Sequence, residues 1–154
     1  MRDRTEQHQA AERNRVDAEF LRSVLAASSD CIKVLDLDAK LTFMSEVGQQ
    51  VMEVSDFNAI LGCPLPDLWQ GQGHQDAIAA VAAARVGGIG HFRGVADTMA
   101  GTTKWWDVRV TPMFDADGRP EKLLSVSRDI TATHAAETAL RVSEEHWRGL
   151  FERI

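Results

Sequence analysis

Apolar residues are almost absent from the first fifteen positions, MRDRTEQHQAAERNR, and then return as Val16, Phe20, Leu21, Val24 and Leu25. Steps of three and four place these on one side of a helix, so the pattern predicts a helix that starts in solvent and ends with an apolar stripe. Ser28, Ser29 and Asp30 stop it. CIKVLDL (31–37) is then dense in aliphatic and β-branched residues, Asp36 to Lys40 supplies turn chemistry, and LTFM (41–44) reads as a second strand. These segments predict an opening β-hairpin.

The period changes at residue 45. SEVGQQVMEV carries Val47, Val51 and Val54 at helical steps, a short helix, after which Gly62, Pro64 and Pro66 leave space only for short helical turns. GHQDAIAAVAAARVGG (73–88) predicts the longest helix of the core, with Ile78 and Val81 on one side and a double glycine as its stop. Three strands follow: GHFRGVAD (90–97), TKWWDVRVTPMF (103–114) and EKLLSVSRD (121–129). In the middle one Trp106, Val108 and Val110 alternate with Asp107, Arg109 and Thr111, the pattern of a strand with one buried face. Asp115-Ala116-Asp117-Gly118 is a turn between the last two, with Gly118 able to take positive φ. From Thr131 to Ile154 a polar helix carries Leu140, Trp147 and Ile154 at heptad spacing, and Ala136, Ser143 and Leu150 at the complementary positions.

Composition narrows the function. A chain of 154 residues suits one domain plus flanking segments. Hydrophobic residues at 44% and charged residues at 26%, with no long apolar run and no signal-peptide pattern, predict a cytoplasmic protein or domain with no membrane segment. A net charge of −6 with no one-sided Lys/Arg cluster argues against nucleic acid as a partner. Cys31 and Cys63 lack the spacing of a metal or redox pair and read as buried or half-buried thiols, and no metal ligand set is expected.

WWDVRVTPMFDADGRPEKLLSVSRDIT (105–131), with LDLDAKLTFMS (35–45) and LGCPLPDLW (61–69), resembles a PAS domain, the sensory module of bacterial histidine kinases, diguanylate cyclases and chemoreceptors. The resemblance spans about residues 20 to 131. It implies an α+β fold: a five-stranded antiparallel sheet of order 2-1-5-4-3, covered on one face by short helices and flanked by N- and C-terminal helices. The implied organisation is an N-terminal helix or linker over 1–27, the PAS core over 28–131 and a signalling helix over 132–154. LRVSEEHWRGLFE (140–152) also looks like the lead-in to another PAS repeat, so the chain is expected to be one part of a longer multidomain sensor, with neighbouring signalling domains as partners.

Asp129-Ile130-Thr131 joins the last strand to the exit helix. An Asp129 or Thr131 oxygen can accept the orphan N–H groups of the first turn, a cap contributing about 0.5–2 kcal/mol, and Ile130 is expected to anchor the junction by burial. In PAS domains this tripeptide couples the sheet to the linker, so Asp129, Ile130 and Thr131 are the expected signal relay. Any ligand is expected between the long helix and the sheet, lined by Trp69, His74, Ile78, Val81, Phe92 and Trp106, most of which also read as plain core. The residues specify no cofactor. Haem-binding relatives use a histidine on the long helix; here His74 lies near its start and His91 alone on a strand, so a capping or solvent-facing role is favoured for both. Flavin photochemistry is disfavoured, because LGCPLPDLWQG has Cys63 near the reactive position without the asparagine, arginine and phenylalanine of N-C-R-F-L-Q.

Catalytic motifs are missing. His134 and His146 lack phosphoacceptor surroundings, Asp36, Asp38, Asp115 and Asp117 belong to turns, and there is no glycine-rich phosphate cradle, so the segment is expected not to be an enzyme although its parent fits a histidine kinase. Two function classes remain: a sensory, signal-transmitting module with or without a small-molecule ligand, including a haem or other cofactor-binding gas or redox sensor, and a structural dimerisation module with no ligand. Both predict a homodimer through Val16, Phe20, Leu21, Val24 and Leu25 together with Leu140 and Trp147 of a coiled-coil linker.

Overall fold

The computed structural model describes residues 4–152. The elements are α1 (Arg4–Ala27), β1 (Cys31–Leu35), β2 (Leu41–Met44), α2 (Glu46–Val51), two 3₁₀ turns (Phe57–Ala59 and Leu65–Leu68), α3 (Gln72–Arg85), β3 (Gly90–Asp97), β4 (Thr103–Phe114), β5 (Pro120–Asp129) and α4 (Thr131–Glu152). The strands form one antiparallel sheet in the order β2-β1-β5-β4-β3. The expected α+β architecture and strand order are therefore present, with the short helices gathered between β2 and β3. Ile154, part of the expected heptad seam, lies outside the described residues.

Two hairpin turns are built by the same device. Asp36 Oδ1 accepts the N–H groups of Asp38 and Lys40, and Asp115 Oδ1 accepts those of Asp117 and Arg119. Each turn then needs a left-handed residue: Gly118 takes φ 77°, and Ala39, with a side chain, takes φ 65°. These local carboxylate bonds set the register of β1–β2 and β4–β5.

The core lies between the sheet and α3. Ala77, Ala80, Val81 and Ala84 face the sheet, where Trp106, Val108, Val110, Leu123 and Leu35 are buried. Small side chains are required because α3 packs almost backbone to backbone on β3: a Cβ at Gly90 would overlap the Ala80 backbone. This rotation separates two residues expected on one side of the helix. Val81 is buried, whereas Ile78 is 44% exposed.

Burial along the central strands runs against their polarity. In β1, Cys31, Lys33 and Leu35 are buried and Ile32 and Val34 are only half-buried. In β5, Leu123, Ser125 and Ser127 are buried while Leu124 and Val126 lie on the opposite face. Val34 pairs with Leu124 and with the exposed Phe43, and Ile32 pairs with Val126, so the open face of this half-sheet is apolar.

Candidate functional site

The exit joint gathers four elements. Asp129 Oδ1 accepts the Thr131 N–H at 3.0 Å and the Thr131 hydroxyl at 2.6 Å. Thr131 Oγ1 accepts the Trp105 N–H at 3.0 Å, and the Ile130 N–H donates to the Trp105 carbonyl at 2.9 Å. Lys104 Nζ stands 3.3 Å from Asp129 Oδ2 and donates to the Val51 carbonyl at the end of α2. The His134 ring, in the first turn of α4, stacks on Trp105 with centroids 3.7 Å apart and planes 14° apart. Partial burial pushes the Asp129 carboxyl up, but the Thr131 hydroxyl, the Thr131 N–H and Lys104 outweigh it and hold the group below its ordinary value.

This geometry gives the relay tripeptide its local roles. Asp129 accepts from the first helical N–H, while the Thr131 hydroxyl links Asp129 to the β4 backbone. Ile130 is only half-buried, in contrast to the expected anchoring by burial; its backbone does the anchoring. Lys104, Trp105 and His134 were not expected here. No spacing along one strand or helix announces them, because they meet only when α4 turns back across β4.

The entry joint is simpler. Arg128, near the end of β5, reaches Asp30 through Nε at 3.1 Å and another guanidinium nitrogen at 3.3 Å. Because Cys31 pairs with Ser127, both flanking helices leave from the same end of the central strands. On α1, Val16, Phe20, Leu21 and Val24 are exposed, Phe20 at 70%, and Leu25 is half-buried; on α4, Leu140 and Trp147 are exposed.

Of the expected ligand-lining residues, Trp69, Val81, Phe92 and Trp106 are buried together. Trp69 meets Phe92 edge-on at 5.0 Å, and its ring is closed in by Gly73 and Gly94, where an added Cβ would come within 2.9 and 3.2 Å. His74 and Ile78 instead line a surface pocket of about 280 Å³ between α3, the second 3₁₀ turn and the β1–β2 turn, with Asp38, Pro66, Asp67 and Arg85. His74 Nδ1 lies 2.7 Å from the Pro66 carbonyl.

The cofactor candidates follow from these positions. The α3–β3 contact at Gly90 and Ala80 leaves no width there for a planar macrocycle. His91 is on the open side of the sheet, its Nε2 2.8 Å from Asp107 Oδ1, with Arg93 on the other carboxylate oxygen. Burial, then the Asp67 charge, pushes the half-buried Cys63 thiol up, away from a reactive thiolate. Among the described residues no three His, Cys, Asp or Glu side chains gather to hold a metal ion, and no helix is long and apolar enough to cross a membrane.

Among the described residues one ionisable side chain other than a thiol is buried. Lys33 is 2% exposed on the helix-covered face of β1, with Nζ 3.5 Å from Ser127 Oγ, and the neighbouring Ser125 Oγ is buried without a partner. Sequence reasoning passed over it because a lone lysine between Ile32 and Val34 reads as pointing to solvent.

Comparison with known proteins bears on the fold. The family profile described as the PAS fold matches residues 25–135. The PAS domain of an HTR-like protein from Haloarcula marismortui superposes with a TM-score of 0.64 at 19% identity, the match covering 80% of this chain and 99% of that one. A sensory box histidine kinase/response regulator from Burkholderia thailandensis E264 gives 0.62 at 18% identity over 83% and 97% of the two chains. An RNA-binding light-oxygen-voltage receptor gives 0.71 at 17% identity over 83% of this chain and 37% of that one. No curated protein sequence matches. At these identities the structural likeness concerns the fold alone.

Proposed function

The chain belongs to the PAS family, and from that premise we propose that it is a sensory, signal-transmitting module of a larger cytoplasmic bacterial signalling protein such as a histidine kinase. It catalyses no reaction itself, dimerises, and relays a change in its core to α4. The observation that carries this reading is the exit joint: Asp129 and Thr131 tie β5, β4 and the start of α4 together, and Lys104 extends the tie to α2. A displacement of β5 relative to β4 therefore acts directly on the first turn of α4.

Dimerisation is supported by two uncovered apolar surfaces. The α1 stripe and the open face of β1, β2 and β5, with Ile32, Val34, Phe43, Leu124 and Val126, both lie outside the core. Burying such surface contributes roughly 25 cal/mol per Å², which favours a second copy over solvent. Light scattering on the chain at micromolar concentration should report a dimer, and a monomer there removes the dimer from this reading. In the full-length parent, Asp129→Ala should change output strongly with little loss of fold. Output that stays regulated as in the wild type would remove the relay role.

A further inference from the structure

We infer that Lys33, Ser125 and Ser127 form a recognition site for the carboxylate of a small organic acid held inside the domain, between β1–β5 and the helices. This deepens the proposed sensory function, on which it rests, by naming the class of signal.

The three side chains share one face of the sheet. Lys33 is the direct cross-strand partner of Ser125, and Ser127 follows two residues along β5, so all three point toward the helices. Their exposures are 2%, 0% and 3%. Lys33 forms no ion pair among the described residues, and its hydrogen bond to Ser127 Oγ is long at 3.5 Å. Ser125 Oγ has no partner. A lysine ammonium offers three donors and accepts nothing, and each serine hydroxyl can donate one more. Polar groups taken out of water without partners are costly, and a lone ammonium most of all. What the cluster lacks is an acceptor carrying one negative charge and two oxygens. A carboxylate satisfies both conditions, whereas a phosphate would bring more charge than a single lysine balances.

Room for a guest comes from repacking: Lys33 is flanked on β2 by Met44, a flexible side chain, whereas α2 packs closely on β1 where Gly48 meets Cys31. The α3–β3 side is closed by direct backbone contact at Gly90, and the surface pocket beside His74 does not include these residues. The site is also wired to the exit. Ser127 precedes Asp129 by two residues on the same face of β5, so drawing Ser127 toward a bound acid shifts the residue that caps α4.

The test is thermal unfolding of the chain with sodium acetate, lactate, pyruvate or succinate, against matched sodium chloride and against uncharged acetamide. At least one acid should raise Tm saturably, and acetamide should not. Lys33→Met should unfold at a higher temperature than the wild type without ligand and lose the response, and Ser125→Ala should need several-fold more acid for the same shift. No saturable rise with any of the four acids, or a rise that persists unchanged in Lys33→Met, overturns the site. If Lys33→Met fails to fold, Ser125→Ala decides: a weakened response supports the site and an unchanged one overturns it. Light scattering on the same samples reads the dimer separately, so failure of the acid site is distinguishable from failure of the module reading.

Discussion

The two halves of the sheet use their faces in opposite ways. In β4 the helix-covered face carries Trp106, Val108 and Val110 and the open face Asp107, Arg109 and Thr111, the ordinary arrangement for a sheet with one solvated side. In the β1–β5 pair the covered face carries Lys33, Ser125 and Ser127, and the open face Ile32, Val34, Leu124 and Val126. Hydrophobicity alone would turn β1 and β5 over, since a slip of one residue exchanges every side chain between faces. They are held by the Asp36 and Asp115 turns and by Leu35 and Leu123, whose burial needs the observed register. The difference teaches that β4 is shaped for stability, whereas β1 and β5 give up core polarity on both sides for an inner polar cluster and an outer apolar surface.

The largest effect should come from the ordinary half. Trp106→Ala, which removes the largest fully buried side chain, should cost about 3–5 kcal/mol in urea unfolding. The inverted half should answer with the opposite sign: Lys33→Met, which replaces an unpaired buried ammonium by a side chain of similar length, should stabilise the ligand-free chain by about 1–3 kcal/mol. A Lys33→Met protein less stable than the wild type would show that the lysine is satisfied as it stands.

At the end of the same covered face, Asp129→Ala should cost about 0.5–2 kcal/mol and speed amide exchange in the first turn of α4 before that in β4. The pH dependence follows from its carboxyl being held below the ordinary value. The folded state favours the ionised form, so this stabilisation is complete above the ordinary carboxylate range, about pH 4, and is lost as pH falls below it through the folded value. Urea midpoints for the wild type and Asp129→Ala should therefore converge in acid. The smallest effect on folding belongs to the open face: Phe43→Lys should change unfolding by less than about 0.5 kcal/mol while shifting the dimer toward monomer in light scattering. Unchanged dimerisation would assign the interface to α1 and α4 without the sheet.

Much of this architecture was legible in one dimension. The middle closing strand was marked by period-two alternation, the turn into the last strand by Asp115 to Gly118, the opening hairpin by Asp36 to Lys40, and the exit helix by Asp129 and Thr131, all signals that act over a few residues. The site was less legible. Ile78, read as a core-side residue beside Val81, and His74, a ligand-lining candidate that also read as capping or solvent-facing, both stand at a surface pocket, because the rotation of α3 is dictated by Gly90 on another element. Lys104, Trp105 and His134 gave no signal, since their contacts join segments far apart in the chain.

The sequence by itself determined the order of elements and their turns and caps, because propensity, periodicity and Asx chemistry are local; the PAS family followed from the resemblance carried by residues 105–131 and from the profile match over 25–135. Only the tertiary structure decided which face of β1 and β5 the helices cover. An alternating strand defines two faces but does not say which is inside; that choice was made by the closures at Asp36 and Asp115 and by the packing of α3 on β3, and it put Lys33 in the core.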